Sequence, residues 1–465
     1  MNTSVRTAAL ILNWNKKETV LKLLADIKNV SDCRADIFVV DNASTDGSAK
    51  AIQEAYPDVT ILHNKKNLGG TGGFNSGLFH IIQKERYEYI WLLDNDIRVT
   101  NNTLNELEMI MNADEGIGIA GSRIQDIDQP EVTVETGANV RWDMMGVVPV
   151  NRNSTENLNG IIDVDYVAIC SALVRISALK ITGLMDDRFF LCWDDMDWGQ
   201  YFIKNGYRVV AVCQSIVFHG SFTERDRGDL SNYYYGIRNA FLFYSKHVPD
   251  NKRIILFYNS LRFYLKLYFF YRFHAHRLKA GLIKQAVQDF YFSRWGKIQE
   301  YCNGKKKRFS EDEHLYLLNP EKILIPLIGT SYQNSMNLLS DIKIRYPGAS
   351  MHIIITRDRK NYFKEYSKTL IDNRMLSRVS YLLEQLAKLH KKKFDVVAAA
   401  LPTPFIYAAP KVMFYDEQTR LFSVIRLGRL KCHRIIGSNL LGEIFSILVF
   451  PYIYYQSLVY KSGKK

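Results

Sequence analysis

At 465 residues the chain is too long for one ordinary domain and suits two or three. Apolar residues at 47% and charged residues at 23% exclude bulk disorder, while a net charge of +13 favours anionic partners without choosing among them. The six cysteines are scattered with no C-x-x-C pair, which excludes a disulfide scaffold and a zinc site and suits reduced thiols in a cytoplasmic protein.

Taken in chain order, the first half alternates strand and helix patterns. Ala8–Leu12 reads as a buried strand, and it is too short for a signal-peptide core. Val20–Ile27 repeats apolar residues at helical spacing. Strands follow at Asp36–Val40, Val59–Leu62 and Tyr89–Leu93, with helices at Ser48–Tyr56 and Phe74–Ile82 between them. Such alternation predicts a mostly parallel α/β sheet covered on both faces. From Asn232 to about Trp295 long apolar and aromatic runs carry spaced Lys and Arg, which predicts helices. Gly304–Arg308 reads as a linker. Strand candidates at Lys322–Ile328, Met351–Thr356, Phe394–Ala398 and Lys411–Tyr415 predict a second α/β unit.

Ligands bind open parallel sheets outside the carboxyl ends of the strands, so the residues after each strand matter most. Those residues are Asn13-Trp-Asn15, Asp41-Asn42, the glycine-rich Asn67–Asn75 and Asp94-Asn95-Asp96. Each alone would suit a turn; four on one edge favour a ligand site. Asp94 and Asp96, leaving a buried strand, would present oxygens to a hard cation such as Mg²⁺ or Mn²⁺. His219, after a later strand, becomes a plausible third ligand beside such a pair. The glycines would let backbone approach a ligand closely. Further on, Trp193-Asp194-Asp195 sets adjacent carboxylates among aromatics. Both cannot be buried cheaply as charges, so one with a raised pKa would serve as a general base. A helix N-terminus with acidic residues complementing its dipole suits them equally.

Together these segments resemble family 2 glycosyltransferases. Ile11–Asn15, Val39–Ser48, Asn67–Asn75, Trp91–Asp96, Trp193–Asp195 and His219 match in order over roughly the first 230 residues. The resemblance implies a GT-A fold, a nucleoside-diphosphate sugar donor, a divalent metal and inversion at the anomeric carbon. It implies that Asp94, Asp96 and His219 hold Mn²⁺ or Mg²⁺, that Asp195 is the base and that Asp41 contacts the nucleobase. The donor site would include Asn13, Asn15, Asp41, Asn42, Asn67, Gly70, Gly73, Asn75, Asp94, Asn95, Trp193 and Asp194. Trp-Asp-Asp and Gly-Gly-Phe-Asn are most similar to bacterial galactofuranosyltransferases using UDP-galactofuranose; a rhamnosyltransferase using dTDP-rhamnose is the alternative. Asn95 stands where those galactofuranosyltransferases commonly carry an acid. A GT-A-fold binding protein without catalysis is a third possibility, against which intact Asp94, Asp96, Asp195 and His219 argue.

The expected organisation is a GT-A domain over 1–231, a basic aromatic helical region over 232–310 and an α/β domain of open role over 320–465. In the helical region Arg262, Lys266, Arg272 and Lys279 would meet anionic headgroups while aromatics insert. Asn439, Glu443, Pro451 and Gln456 interrupt the apolar tail, which predicts a buried or interfacial helix rather than a span. The expected partners are a nucleotide-sugar donor, a glycan or lipid-linked glycan acceptor and an anionic membrane surface. No zinc-finger, RRM or homeodomain signature supports nucleic acid. The expected location is cytoplasmic, peripheral on the inner face of the cell membrane.

Overall fold

A computed structural model describes residues 6–30, 34–143, 145–152, 154–219, 231–273, 277–298, 320–327, 332–357, 363, 366–371, 385, 388–389, 392–399, 411–416, 421–426 and 429–461. The expected linker at 304–308 lies outside them.

The chain opens with β1 (Thr7–Asn13), α1 (Lys17–Asn29), β2 (Ala35–Asp41), α2 (Ser48–Ala55), β3 (Thr60–His63), α3 (Gly69–Ile82) and β4 (Tyr89–Asp94). Helix α1 buries Val20, Leu23, Leu24 and Ile27, the spacing that puts one apolar stripe on the sheet. Short β5 (Ile97–Val99), α4 (Thr103–Ala113) and β6 (Ile117–Asp126) follow. Next come β7 (Thr133–Glu135), β8 (Ala138–Val140), β9 (Val147–Pro149), β10 (Ile161–Asp163), β11 (Ser171–Arg175), α5 (Ile176–Thr182), α6 (Asp194–Lys204) and β12 (Arg208–His219).

The main sheet runs β10-β12-β6-β11-β4-β1-β2-β3, with β5 on β12 and β7 on β6. Strands β3, β2, β1 and β4 are parallel, as the alternation predicted. β11 enters antiparallel between β4 and β6, and β6 and β12 are again parallel. Apolar cores cover both faces, one around Val20, Leu24, Trp91 and Leu107, the other around Leu10, Phe74, Leu92 and Trp198.

The helical region comprises α7 (Ser231–His247), α8 (Asp250–Phe273) and α9 (Arg277–Tyr291). A second sheet follows, built from β13 (Lys322–Pro326), β14 (Ser350–Thr356), β15 (Ser367–Ile371), β16 (Val396–Ala399), β17 (Lys411–Asp416) and β18 (Leu421–Arg426), with α10 (Tyr332–Arg345) after β13. Its order is β15-β14-β13-β16-β17-β18, parallel except for β18. The final helix α11 (Arg429–Lys461) returns to the helical region. Tyr258 meets Phe450 and Phe269 meets Phe445, so α8 and α11 are packed together.

Two expectations need correction. The helix expected from Phe74 already begins at Gly69. Its glycines serve packing: a Cβ on Gly73 would run into Leu12, and Gly69 sits at φ +78° against the Phe190 carbonyl. Lys279 does not face outward. It is buried, with its ammonium over the Tyr233 and Tyr271 rings.

Candidate functional site

Strand register builds the first half of the site. β1 pairs Asn13 with Asp41 on one side and Leu12 with Asp94 on the other, so three strand ends share one edge. Asn95 Nδ2 donates to Asn13 Oδ1 at 2.9 Å, holding the turn after β4 against β1. That turn leads into β5, whose Ile97 lies opposite His219 in an antiparallel pair with β12. Asp96, next to Ile97, therefore meets His219, with Oδ1 and Nε2 3.4 Å apart. One atom each from Asp94, Asp96 and His219 lies within 4.8 Å of the others. Two carboxylate oxygens and one imidazole nitrogen at that spacing suit Mn²⁺ or Mg²⁺.

The second half comes from the start of α6. Asp194 is buried and accepts a hydrogen bond from Thr71 Oγ1 at 2.7 Å. Burial raises its pKa, the Thr71 bond works against that, and Asp94 is near enough to add to the rise. Asp195 Oδ1 accepts from the Met196 amide at 2.8 Å. Its pKa is pushed well above the usual carboxylate range, first by burial and then by the charge of Asp194. Glu135 and Asp94 contribute smaller repulsions. The acidic pair therefore shares a field with the strand-edge cluster.

An unusual backbone delivers this pair. Phe190, Cys192 and Trp193 all have φ between 64° and 67°, the left-handed region. Each such non-glycine residue costs roughly 1–2 kcal/mol. Helix α7 holds the segment in place. Asn239 Nδ2 donates to the carbonyls of Phe189 at 2.8 Å, Leu191 at 2.7 Å and Cys192 at 3.0 Å. Arg238, fully buried, donates to the carbonyls of Arg188 at 3.1 Å and Phe189 at 3.0 Å. Its Nε also donates to Asn239 Oδ1 at 2.9 Å, which fixes the amide orientation. At about 1 kcal/mol or more per bond, the clamp is of the right size to offset the strain. A second tie joins α6 to α7: Asp197 accepts from Lys246 at 2.6 Å and pairs with His247 at 2.7 Å.

The remaining expected residues divide by whether their side chains are already engaged. Asp41 is buried, and its Oδ1 accepts no hydrogen bond among the described residues. Asn15 is exposed at φ 50°, its Oδ1 accepting from the Thr45 amide at 2.7 Å. Asn13 donates to Ser48 Oγ at 2.8 Å. Gly70 lies beside Asp194 and Leu191.

Asn42, Asn67, Asn75 and Trp193 hold the scaffold. Asn42 donates to Gly69 O at 2.9 Å and accepts from Asn64 and Leu68, both at 3.0 Å. Asn67 Oδ1 accepts from the Gly69 amide at 2.7 Å. Asn75 clasps Met185 through both its amide and its carbonyl, with Asp187 as a further acceptor. Trp193 turns its indole toward α7, donating to Gly236 O at 3.0 Å. Asn42 and Asn75 are buried with their side-chain polar atoms hydrogen-bonded within the fold.

Thr71, Glu135, Tyr166, Arg238 and Asn239 escape the sequence reading. Glu135 is buried on β7, where burial pushes its pKa up to about 7 against the pull of Arg152 and Tyr166. Tyr166 is raised by burial, then by Glu135 and Asp195. A Glu in a three-residue strand and an Arg-Asn pair in an aromatic helix carry no local motif.

The profile of the family described as "Glycosyl transferase family 2" matches residues 9–179, the stretch holding β1 to β4, the Asp94–Asp96 turn and β11. The chain carries a glycosyltransferase family 2 domain. Among curated proteins, galactofuranosyltransferase GlfT2 of Mycobacterium tuberculosis is 20% identical over 211 residues, covering 42% of this chain and 33% of that protein. N-acetylglucosaminyl-diphospho-decaprenol L-rhamnosyltransferase of the same species is 24% identical over 216 residues, covering 43% of this chain and 70% of that one. The aligned region thus spans about a third of the length of GlfT2. Among solved structures, GalNAc-T7 with UDP, GalNAc and Mn²⁺ aligns at TM-score 0.40 and 14% identity, over 52% of this chain and 51% of that chain.

Proposed function

We propose that this family 2 domain is a metal-dependent, inverting glycosyltransferase that takes its sugar from a nucleoside-diphosphate donor. The observation that carries the reading is the convergence of Asp94, Asp96 and His219 at the sheet edge that also holds Asp41, with Asp194 and Asp195 within the same electrostatic field. Asp41, with a buried oxygen that accepts no hydrogen bond among the described residues, is suited to a nucleobase N–H. Asp94, Asp96 and His219 would hold a Mn²⁺ or Mg²⁺ ion, which when bound offsets charge on the donor diphosphate.

Asp195 takes the proton from an acceptor hydroxyl. That oxygen forms a bond to the anomeric carbon as the bond to the diphosphate oxygen breaks, and the electron pair leaves with the nucleoside diphosphate. The raised pKa of Asp195 makes it a stronger base than an ordinary carboxylate. Thr71 keeps Asp194 aside, so the two acids differ in role.

The finer assignment follows the relatives. GlfT2 is named as a galactofuranosyltransferase, which favours galactofuranose from UDP-galactofuranose here. The rhamnosyltransferase match keeps dTDP-rhamnose as the second reading. The acceptor is a glycan or lipid-linked glycan in surface polysaccharide synthesis, reached from the cytoplasmic face of the membrane. A thermal-shift panel of nucleotide sugars with Mn²⁺ tests this. The true donor raises the melting temperature through mass action, and no shift with any nucleotide sugar removes the proposal.

A further inference from the structure

Helix α11 is apolar on both sides. The side it turns toward the protein carries Gly442, Ser446 and Ser457, with Val449, Phe450, Ile453 and Tyr460. The side it turns outward carries Ile444, Phe445, Ile447, Leu448, Tyr452, Tyr455 and Leu458, with Ile447 62% and Tyr455 66% exposed. A helix folding against a core in water turns a polar side outward instead. Val449, Phe450, Ile453 and Tyr460 pack on the apolar core, and close small-residue contacts add to that seam. A Cβ on Gly442 would stand 2.9 Å from the Lys266 Cα, so the two backbones nearly touch. Near the other end, buried Arg253 of α8 donates to Ser457 O at 3.3 Å. Arg253 by Ser457 and Lys266 by Gly442 make the pair antiparallel. Small-residue contacts of this kind suit helices whose outer faces meet lipid.

Charge selects the kind of partner. From Ile444 to Tyr460 the sequence has no Asp, Glu, Lys or Arg, and Glu443 is the only acid in α11. Beside it, α8 has Asp250 as its only acid against Lys252, Arg253, Arg262, Lys266 and Arg272, and it exposes Ile254, Ile255 and Phe263. Lys252 and Arg272 stand exposed near the two ends of α8. The chain as a whole carries +13. Among the described residues no helix is long and apolar enough to cross a membrane, so this surface would lie along a bilayer and not through it.

We propose that the exposed face of α11, with its α8 neighbour, docks on an anionic lipid surface. Ile447, Leu448 and Tyr455 enter the acyl boundary, and Lys252 and Arg272 meet headgroups. This refines the interfacial reading of the helical region: the inserting residues lie mostly on α11, while Arg253 and Lys279 are buried. It stands apart from the transferase reading because vesicle binding needs no sugar donor.

The test is co-sedimentation of the full chain with phosphatidylcholine vesicles, with and without phosphatidylglycerol. The unsubstituted protein should partition at least about tenfold better onto the anionic vesicles. The triple variant Ile444→Ser, Ile447→Ser, Leu448→Ser should lose on the order of a hundredfold in partitioning. Its melting temperature should hold, since all three side chains are exposed. If the triple variant does not fold, Leu448→Trp read with bromolipid quenching takes its place, and quenching beyond that of the unsubstituted protein supports insertion. Equal binding by the variant, equal binding to neutral vesicles, or absence of the added quenching would overturn the proposal. So would a chain that ignores vesicles and self-associates through this face.

Discussion

Two acidic clusters meet at one sheet edge, and they are held there by different physics. Asp94, Asp96 and His219 are placed by main-chain register, through β4 on β1 and β5 on β12. Asp194 and Asp195 are placed by side chains from the helical region, which brace a left-handed backbone. The first arrangement rests on backbone pairing, with the Asn95–Asn13 hydrogen bond bracing its turn. The second depends on two residues, Arg238 and Asn239, more than 40 positions away in the sequence. The helical region is thus part of the site's construction, whatever else it does.

The sharpest way to separate the clusters is to remove one function at a time. Asp195→Asn should lower turnover roughly a thousandfold while leaving donor affinity nearly unchanged, read by steady-state kinetics beside donor titration. Near-normal turnover would take the proton-accepting role from Asp195 and leave the strand-edge cluster standing.

Glu135 offers a stability measurement. Its pKa is about 7 in the folded chain against an ordinary 4.5. A raised folded value means stability that is present at acidic pH and lost as the pH climbs through the folded pKa. Urea melts at pH 5 and pH 8 should therefore show Glu135→Gln gaining on the unsubstituted protein by about 2.5 kcal/mol at the higher pH. A pH-independent difference would show that Glu135 is solvated.

The clamp predicts a smaller, kinetic effect. Asn239→Ala should reduce kcat about thirtyfold, with the donor KM nearly constant, because only the acidic pair is displaced. Loss of donor and metal binding together would mean that the strand-edge cluster also depends on α7.

The smallest effect is a shift in the pH profile. The charge of Asp194 raises the Asp195 pKa, so the acidic limb of the rate profile should lie above the ordinary carboxylate range. Asp194→Asn removes that charge and should move the limb to lower pH. An unmoved limb would mean that burial alone sets the basicity of Asp195.

What could be read from the sequence follows the same division. Strand ends rich in Asn and Asp are local signals, and a parallel alternation turns them into neighbours; Asp94, Asp96 and Asp41 were legible for that reason. His219 was legible because it closes an apolar strand. The antiparallel insertion of β11 carries no local mark, since Ser171–Arg175 reads like any buried strand. The helix start at Gly69 was not legible because helix propensity disfavours glycine, yet close packing on β1 and Phe190 prevails. Nothing local reveals that Asn42 and Asn75 bond to Gly69 and Met185. Arg238 and Asn239 went unseen because their role exists only once α7 reaches the 189–193 segment.

The most direct measurement of the central claim is calorimetric titration of UDP into the chain with Mn²⁺ present and again in excess EDTA. Ion-dependent binding is predicted, with the dependence abolished by Asp96→Ala and by His219→Ala. Equal affinity for UDP with and without the ion, or no binding in either condition, would contradict an account built on Asp94, Asp96 and His219.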